Sequence, residues 1–249
     1  MDSNSWKNFK KARNRFRKEV ETLSSSLPNL KKIQQEFADN RDETSYKVET
    51  PVVYNGALDD FTAEDEIKLI LVADNPGRRE QASENRRYLV GPSGKIAHKF
   101  FRDNPSLQID YLKNVIILNK TPIHSPRTVE LKELCKMDKK DISSLAVELD
   151  KSQKFMASLL LEFQEALACP VWITGYSEMR KGGIFETYTE ELKTLYSDKK
   201  EMYKQVFIYR HFSMNQFTVD LRKRTQGGES VSKALKRIGK AYVERILGE

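Results

Sequence analysis

Four short apolar runs set the rhythm of the chain. They are Leu69-Ile70-Leu71-Val72-Ala73, Val115-Ile116-Ile117-Leu118, residues 170–175 and residues 205–209. Each is four to six residues long, rich in β-branched or aromatic side chains, and without polar alternation. That pattern predicts strands buried on both faces of a sheet. Between them the period changes to that of a helix. Phe155, Leu159, Leu160, Phe163 and Leu167 mark an amphipathic helix over 149–168, and further helices are expected over 95–101, 131–141 and 185–196. Ser230 caps a last helix on which Val231, Leu235, Ile238, Tyr242 and Ile246 share one face. Strands alternating with helices predict a three-layer α/β/α sandwich around a central, mostly parallel four-stranded sheet.

Residues 1–40 read as two helices. Trp6, Phe9, Phe16, Val20 and Leu23 form an apolar stripe on the first, and Leu30, Ile33 and Phe37 mark the second. Lys7, Lys10, Lys11, Arg13, Arg15, Arg17 and Lys18 crowd the rest of the first helix. Two roles fit: a helix docked on the core by its aromatic stripe, or a contact to a nucleic-acid backbone. Residues 1–45 are therefore expected to be a basic helical extension packed on a core domain of residues 46–249. Residues 40–46 read as loop, residues 50–54 as a short extended piece, and Asn55-Gly56 as a turn.

The ends of the strands carry the candidate chemistry. The first run stops at Asp74-Asn75-Pro76-Gly77, a turn-forming sequence. The second stops at Asn119, and the fourth is followed by Arg210-His211. Open α/β sheets bind their ligands at the carboxyl ends of strands, so these polar groups are placed where a site belongs. Gly91-Pro92-Ser93-Gly94 then opens the helix over 95–101, whose free N–H groups suit a phosphate. Arg222, Lys223 and Arg224 with Gly227-Gly228 read as a basic loop. His124 lies in a loop and reads as a surface residue.

Charge narrows the partner. The chain has 249 residues, a formal net charge of +7 and a pI of about 9.2, which favours an anionic partner, nucleic acid first. No apolar run approaches the ~18 residues of a membrane span, and no signal-peptide apolar region opens the sequence. The two cysteines, Cys135 and Cys169, fit a reducing interior, cytoplasmic in a bacterium or nuclear in a eukaryote. Alone they supply too few ligands for a structural zinc site or an iron–sulfur cluster, so neither metal nor cofactor is expected.

Two stretches together resemble the signatures of the uracil-DNA glycosylase superfamily. The first signature is a strand, then Gly-x-x-Pro-Gly or a variant, then an aromatic-Val-Gly-x-x-Gly-like turn. Here it reads Ala73-Asp74-Asn75-Pro76-Gly77 and Leu89-Val90-Gly91-Pro92-Ser93-Gly94. The second resembles His-Pro-Ser-x-x and reads His211-Phe212-Ser213-Met214-Asn215. The resemblance spans roughly residues 67–217 and implies hydrolysis of the N-glycosidic bond of uracil or a related damaged base, flipped out of single-stranded or lesion-containing duplex DNA; since flipping needs only one pocket, a monomer is expected. It implies that Asp74 orients or activates water or stabilises the sugar cation, with Asn75 the rival for that place. It implies that His211 donates to the leaving base. Asn119 would read the pyrimidine edge, since an amide offers both a donor and an acceptor. Gly91, Ser93, Gly94 and Ser213 would hold flanking phosphates. Met214, with Phe212 or Gln216, would wedge into the vacated stack. Arg222, Lys223 and Arg224 join the DNA-binding set by charge.

The sequence also departs from the pattern. Ala73 replaces a Gly and Phe212 a Pro. Leu89 holds the place of a stacking aromatic, with Tyr88 one residue earlier, and the four cluster cysteines of one branch have no counterpart. An altered or inactive nucleic-acid-binding module on the same fold is the alternative. An unrelated α/β enzyme acting on a small phosphorylated ligand is a third reading.

Overall fold

The computed structural model describes residues 1–40, 45–138 and 145–248. The chain opens with helices α1 (Ser3–Ser26) and α2 (Leu30–Asp39), followed by an extended piece in which Val52 bridges Ile123. Strand β1 (Leu69–Ala73), helix α3 (Pro92–Asp103) and strand β2 (Val115–Asn119) come next, then helices α4 (Leu131–Met137) and α5 (Leu145–Leu167). Strand β3 (Val171–Thr174), helices α6 (Glu186–Tyr196) and α7 (Lys200–Tyr203), strand β4 (Val206–Tyr209) and helices α8 (Gln216–Arg224) and α9 (Val231–Leu247) complete it.

The four strands are all parallel, in the order β2-β1-β3-β4. Every residue of β1, β3 and β4 is buried, as unbroken apolar runs in a two-sided parallel sheet should be. One face carries Trp172, which packs on Phe101 of α3, Phe217 of α8 and Tyr209. Gly239 of α9 lies so close to Phe207 and Tyr209 that a Cβ there would stand 2.7 Å from the Tyr209 hydroxyl. Helices α1, α5 and α6 build the other helical layer. The result is the expected three-layer α/β/α arrangement. Because β2 follows β1 on one side and β3 follows on the other, the chain reverses direction across the sheet between β1 and β3. A crevice forms at the carboxyl ends there.

Helix α1 is held by its aromatic stripe. Phe9 and Phe16 are fully buried and belong to the same apolar cluster as the sheet. Their rings lie 5.3 Å from Phe163 and 5.2 Å from Tyr54. The arginines of the basic face are engaged within the chain: Arg13 and Arg17 pair with Asp59, and Arg15 with Glu162.

Two expectations change. The stretch with Arg222, Lys223 and Arg224 is the last turn of α8 rather than a loop. Phe217 and Leu221 lie one turn apart and both are buried, and Asp220 pairs with Arg224 at 3.2 Å. The α5 helix begins at Leu145, ahead of the expected 149. Parts of two expected segments, residues 41–44 of the loop over 40–46 and residues 139–141 of the helix over 131–141, lie outside the described residues. No helix among the described residues is long and apolar enough to cross a membrane.

If α1 is integral to the core, Phe16→Ala should destabilise the whole fold by about 3–5 kcal/mol. Urea unfolding should show one lowered midpoint for helix and tertiary signals alike. Separate transitions would mean that α1 unfolds independently.

Candidate functional site

The site begins where β1 ends. Asp74 leaves the sheet with its carboxylate against the ammonium of Lys120, the residue that follows β2; Nζ donates to Oδ1 at 2.5 Å. The same Nζ donates to the Thr174 carbonyl at the end of β3, also at 2.5 Å. Lys120 is fully buried, and burial pulls its pKa down while the Asp74 carboxylate opposes that pull. Thr128 Oγ1 lies 3.2 Å from Asp74 Oδ2 and 3.0 Å from Asn75 Oδ1. Opposite stands Gly175, at φ +83°, where a Cβ would come 2.2 Å from Asp74 Oδ1. Only glycine meets both demands, a left-handed backbone and room for the carboxylate.

The turn after Asp74 is locked from behind. The Asn75 amide donates to the Ser125 hydroxyl at 2.9 Å and to its carbonyl at 3.1 Å. The Pro76 carbonyl accepts from the Ser125 N–H and from Nδ1 of His124. Nε2 of His124 accepts from the Tyr46 hydroxyl at 2.8 Å. His124 is therefore a buried strut and not the surface residue its loop position suggested. Burial pushes its pKa down to about 4, which keeps it neutral.

Asp74 and His211 line one cavity of about 670 Å³. His211 follows β4, and its Nδ1 accepts the N–H of Ser213 at 3.1 Å. Burial lowers its pKa while the Asp74 carboxylate opposes that shift, and with Nδ1 accepting, the neutral ring carries its proton on Nε2. Asn75, Leu89, Gly91, Ser93, Ser213, Met214 and Gln216 share the lining, as do Arg78, Arg79 and Arg127. Gly91 caps α3 without a side-chain bond, with Pro92 at the first helical position, so the backbone N–H groups of the first turn have no side-chain acceptor at the cap. Met214 is 81% exposed, and it and Asn215 both adopt left-handed backbone, at φ +50° and +58°. Two successive non-glycine residues in that region are costly and are commonest where a loop is shaped for a ligand.

The remaining expected residues lie elsewhere or are shared with a second cavity. Tyr88 is buried and donates its hydroxyl to the Val53 carbonyl at 2.6 Å, and it lines a neighbouring cavity of about 430 Å³. Gly94 is close-packed, with a Cβ there falling 1.4 Å from the Leu89 carbonyl; its role is to let α3 meet that loop. Leu89, at φ +52°, lines both cavities. Arg222, Lys223 and Arg224 are not in the lining. Asn119 is also outside it, yet both atoms of its buried amide are without a hydrogen-bond partner. It pairs in register with Ala73, which does line the cavity, so the two side chains project from the same face of the sheet.

Glu80 was not expected. It is buried, lines the cavity, and accepts the N–H of Gly77 at 2.8 Å. Desolvation pushes its carboxyl up to about 7, against the pull of the backbone N–H groups of Gly77 and Leu89. In the sequence it sits within Arg78-Arg79-Glu80-Gln81, which reads as a solvated charge run. Lys120 was equally hidden, since a lone Lys after a strand is almost always exposed. No cluster of side chains among the described residues is arranged to hold a metal ion. The sequence matches no protein-family model and no curated protein.

Two outcomes test this geometry. Because the folded pKa of Glu80 is raised, ionising it costs stability as pH rises from about 4.5 to 7, so Glu80→Gln should stabilise the fold by about 2–3 kcal/mol at pH 8 and by nothing near pH 4. Thermal melts across that range measure it; an equal effect at both pH values would contradict the burial of the charge. Gly175→Ala should displace the Asp74 carboxylate and destabilise by at least ~1 kcal/mol from the left-handed backbone alone. A melt unchanged from wild type would show that the site has slack the structure lacks.

Proposed function

We propose that the chain is a DNA glycosylase that hydrolyses the N-glycosidic bond of uracil, or a related damaged base, turned out of a DNA strand into the 670 Å³ cavity. The observation that carries this reading is the convergence of Asp74 and His211 on that one cavity. The Asp74 carboxylate, fixed by Lys120, stabilises the positive charge that develops on the sugar as the bond to the base breaks. One oxygen is held by the Lys120 ammonium and the other lies 3.2 Å from Thr128 Oγ1, which fixes the carboxylate for that electrostatic role. Asn75 has its amide committed to Ser125 and Thr128, so it holds the turn and does not compete for that role. His211 donates from Nε2 to the carbonyl oxygen of the leaving base, whose negative charge grows as the bond lengthens. Water adds to the sugar carbon, and the base departs with the bonding electron pair and takes up a proton.

Asn119 remains the candidate for the pyrimidine edge: its buried amide has neither donor nor acceptor satisfied, at a cost of about 1–3 kcal/mol, and it lies beside Ala73 of the lining rather than in it. The first turn of α3 and Ser213 hold flanking phosphates, and the exposed Met214 fills the gap left in the stack. One chain carries all of these groups, so a monomer suffices. A second reading, a non-catalytic nucleic-acid-binding module, rests on Leu89, which offers no aromatic face for the base.

An oligonucleotide bearing a single uracil, treated with the protein and then with alkali, distinguishes them. The glycosylase reading expects strand cleavage at the uracil, reduced about 10²–10⁴-fold in rate by Asp74→Ala and by His211→Ala. Tight binding without abasic product on uracil, hypoxanthine and other lesions would leave the binding module. Cleavage untouched by both substitutions would refute the residue assignment.

A further inference from the structure

Beside the cavity, on its β3–β4 side, four arginines gather around two tyrosines. Tyr176 lies between Gly175 and Ser177, both of which line the cavity, and Arg210 precedes His211. The guanidinium groups of Arg180, Arg210 and Arg245 stand 5.8, 5.6 and 6.0 Å from the centre of the Tyr176 ring. That ring packs on Tyr242 at 4.6 Å, and Arg224 stands 4.9 Å from the Tyr242 ring. One carboxylate, Asp220, serves the group: it pairs with Arg210 at 3.4 Å and Arg224 at 3.2 Å and accepts the Tyr242 hydroxyl. Arg180 and Arg245 are exposed and have no ion pair among the described residues.

Like charges so close repel, and the repulsion has to be offset. The electron-rich ring faces contribute about 0.5–1 kcal/mol per exposed contact, enough to collect the guanidinium groups without cancelling their charge. The cluster keeps three positive charges in excess: four arginines less Asp220. A surface of this kind is completed by a polyanion with regularly spaced charges. Arginine forks match phosphate oxygens two at a time. The Tyr176 ring is already covered by cations and Tyr242, so the patch recognises backbone rather than bases. Arg78, Arg79 and Arg127 line the cavity itself, and the tyrosine-centred group extends the positive surface beyond its β3–β4 rim.

We propose that Arg180, Arg210, Arg224 and Arg245 form a phosphate anchor that grips the substrate strand beyond the turned-out nucleotide. The inference rests on the glycosylase reading for the identity of its strand. Its consequence is a dependence on length: strands too short to span from the cavity to the anchor bind without its help.

The test is fluorescence anisotropy with uracil-bearing single strands of about 5 and about 20 nucleotides at several salt concentrations. Wild type is compared with Arg180→Gln/Arg245→Gln and with the charge-preserving Arg180→Lys/Arg245→Lys. Both positions are exposed, and circular dichroism verifies folding. For the long strand, the Gln pair should weaken binding about tenfold near 0.1 M salt and flatten the slope of log K against log salt by about 1.4, the loss of two single-strand phosphate contacts. The Lys pair should keep most of that slope, and the short strand should respond little to either. Equal binding by wild type and the Gln pair at both lengths overturns the anchor and leaves the glycosylase reading intact. Wild type that binds no strand at any salt, or prefers an acidic polypeptide to DNA, overturns the anchor and removes the DNA substrate with it. If the long strand binds normally to the Gln pair while alkali-labile product still forms, only the anchor fails.

Discussion

One ammonium group ties the sheet to its site. Lys120 follows β2, its Nζ donates to the Asp74 carboxylate after β1, and it donates again to the Thr174 carbonyl at the end of β3. Three strand ends thus converge on a single buried charge. Removing an ammonium from water is expensive, and the cost is recovered only when geometry is close and the donors are used. Here two of the three donors have acceptors at 2.5 Å, and the Phe185 ring lies 4.9 Å from Nζ. Such a pair is weak evidence for stability. Its effect is positional: Lys120 and Thr128 hold the two carboxylate oxygens of Asp74, and Gly175 leaves them the room that a Cβ would fill.

The other side of the cavity is fixed by backbone. His211 lies two residues beyond the end of β4, and the Ser213 N–H claims its Nδ1, which sets the tautomer. Met214 and Asn215 take left-handed conformations just beyond it, a strained backbone that shapes the loop. The contrast between the two halves is chemical. Asp74 is held by the Lys120 charge, and burial favours the neutral form of His211. A neutral donor and a fixed anion on one cavity can stabilise opposite charges separating along a breaking bond.

The strands were legible because nothing else fits their composition. A run such as Leu69-Ile70-Leu71-Val72-Ala73 has no polar face, so only burial on both sides accommodates it. Asp74 and His211 were legible because they end such runs. Residues whose environment depends on distant parts of the chain were not. Glu80 and Lys120 look solvated in the sequence, and only the fold buries them. His124 became a strut because Tyr46 and Pro76, far apart in the chain, close on its two nitrogens. The α8 helix was hidden by its charged last turn; the Phe217 and Leu221 pair that anchors it is too short a signal to outweigh three successive cations. Gly94 stands in the sequence beside a phosphate-suited helix start, yet the constraint on it is the Leu89 carbonyl it packs against. Tyr88 was expected near the base, but its hydroxyl is committed to Val53.

In the glycosylase reading proposed above, the cavity between Asp74 and His211 receives a base drawn out of the stack. A strand carrying 2-aminopurine next to the uracil tests it directly, since this base fluoresces more strongly when its neighbour leaves the stack. With saturating protein the signal should rise several-fold on the uracil strand and stay flat on the matched thymine strand. Saturated binding with no rise on either strand would contradict it.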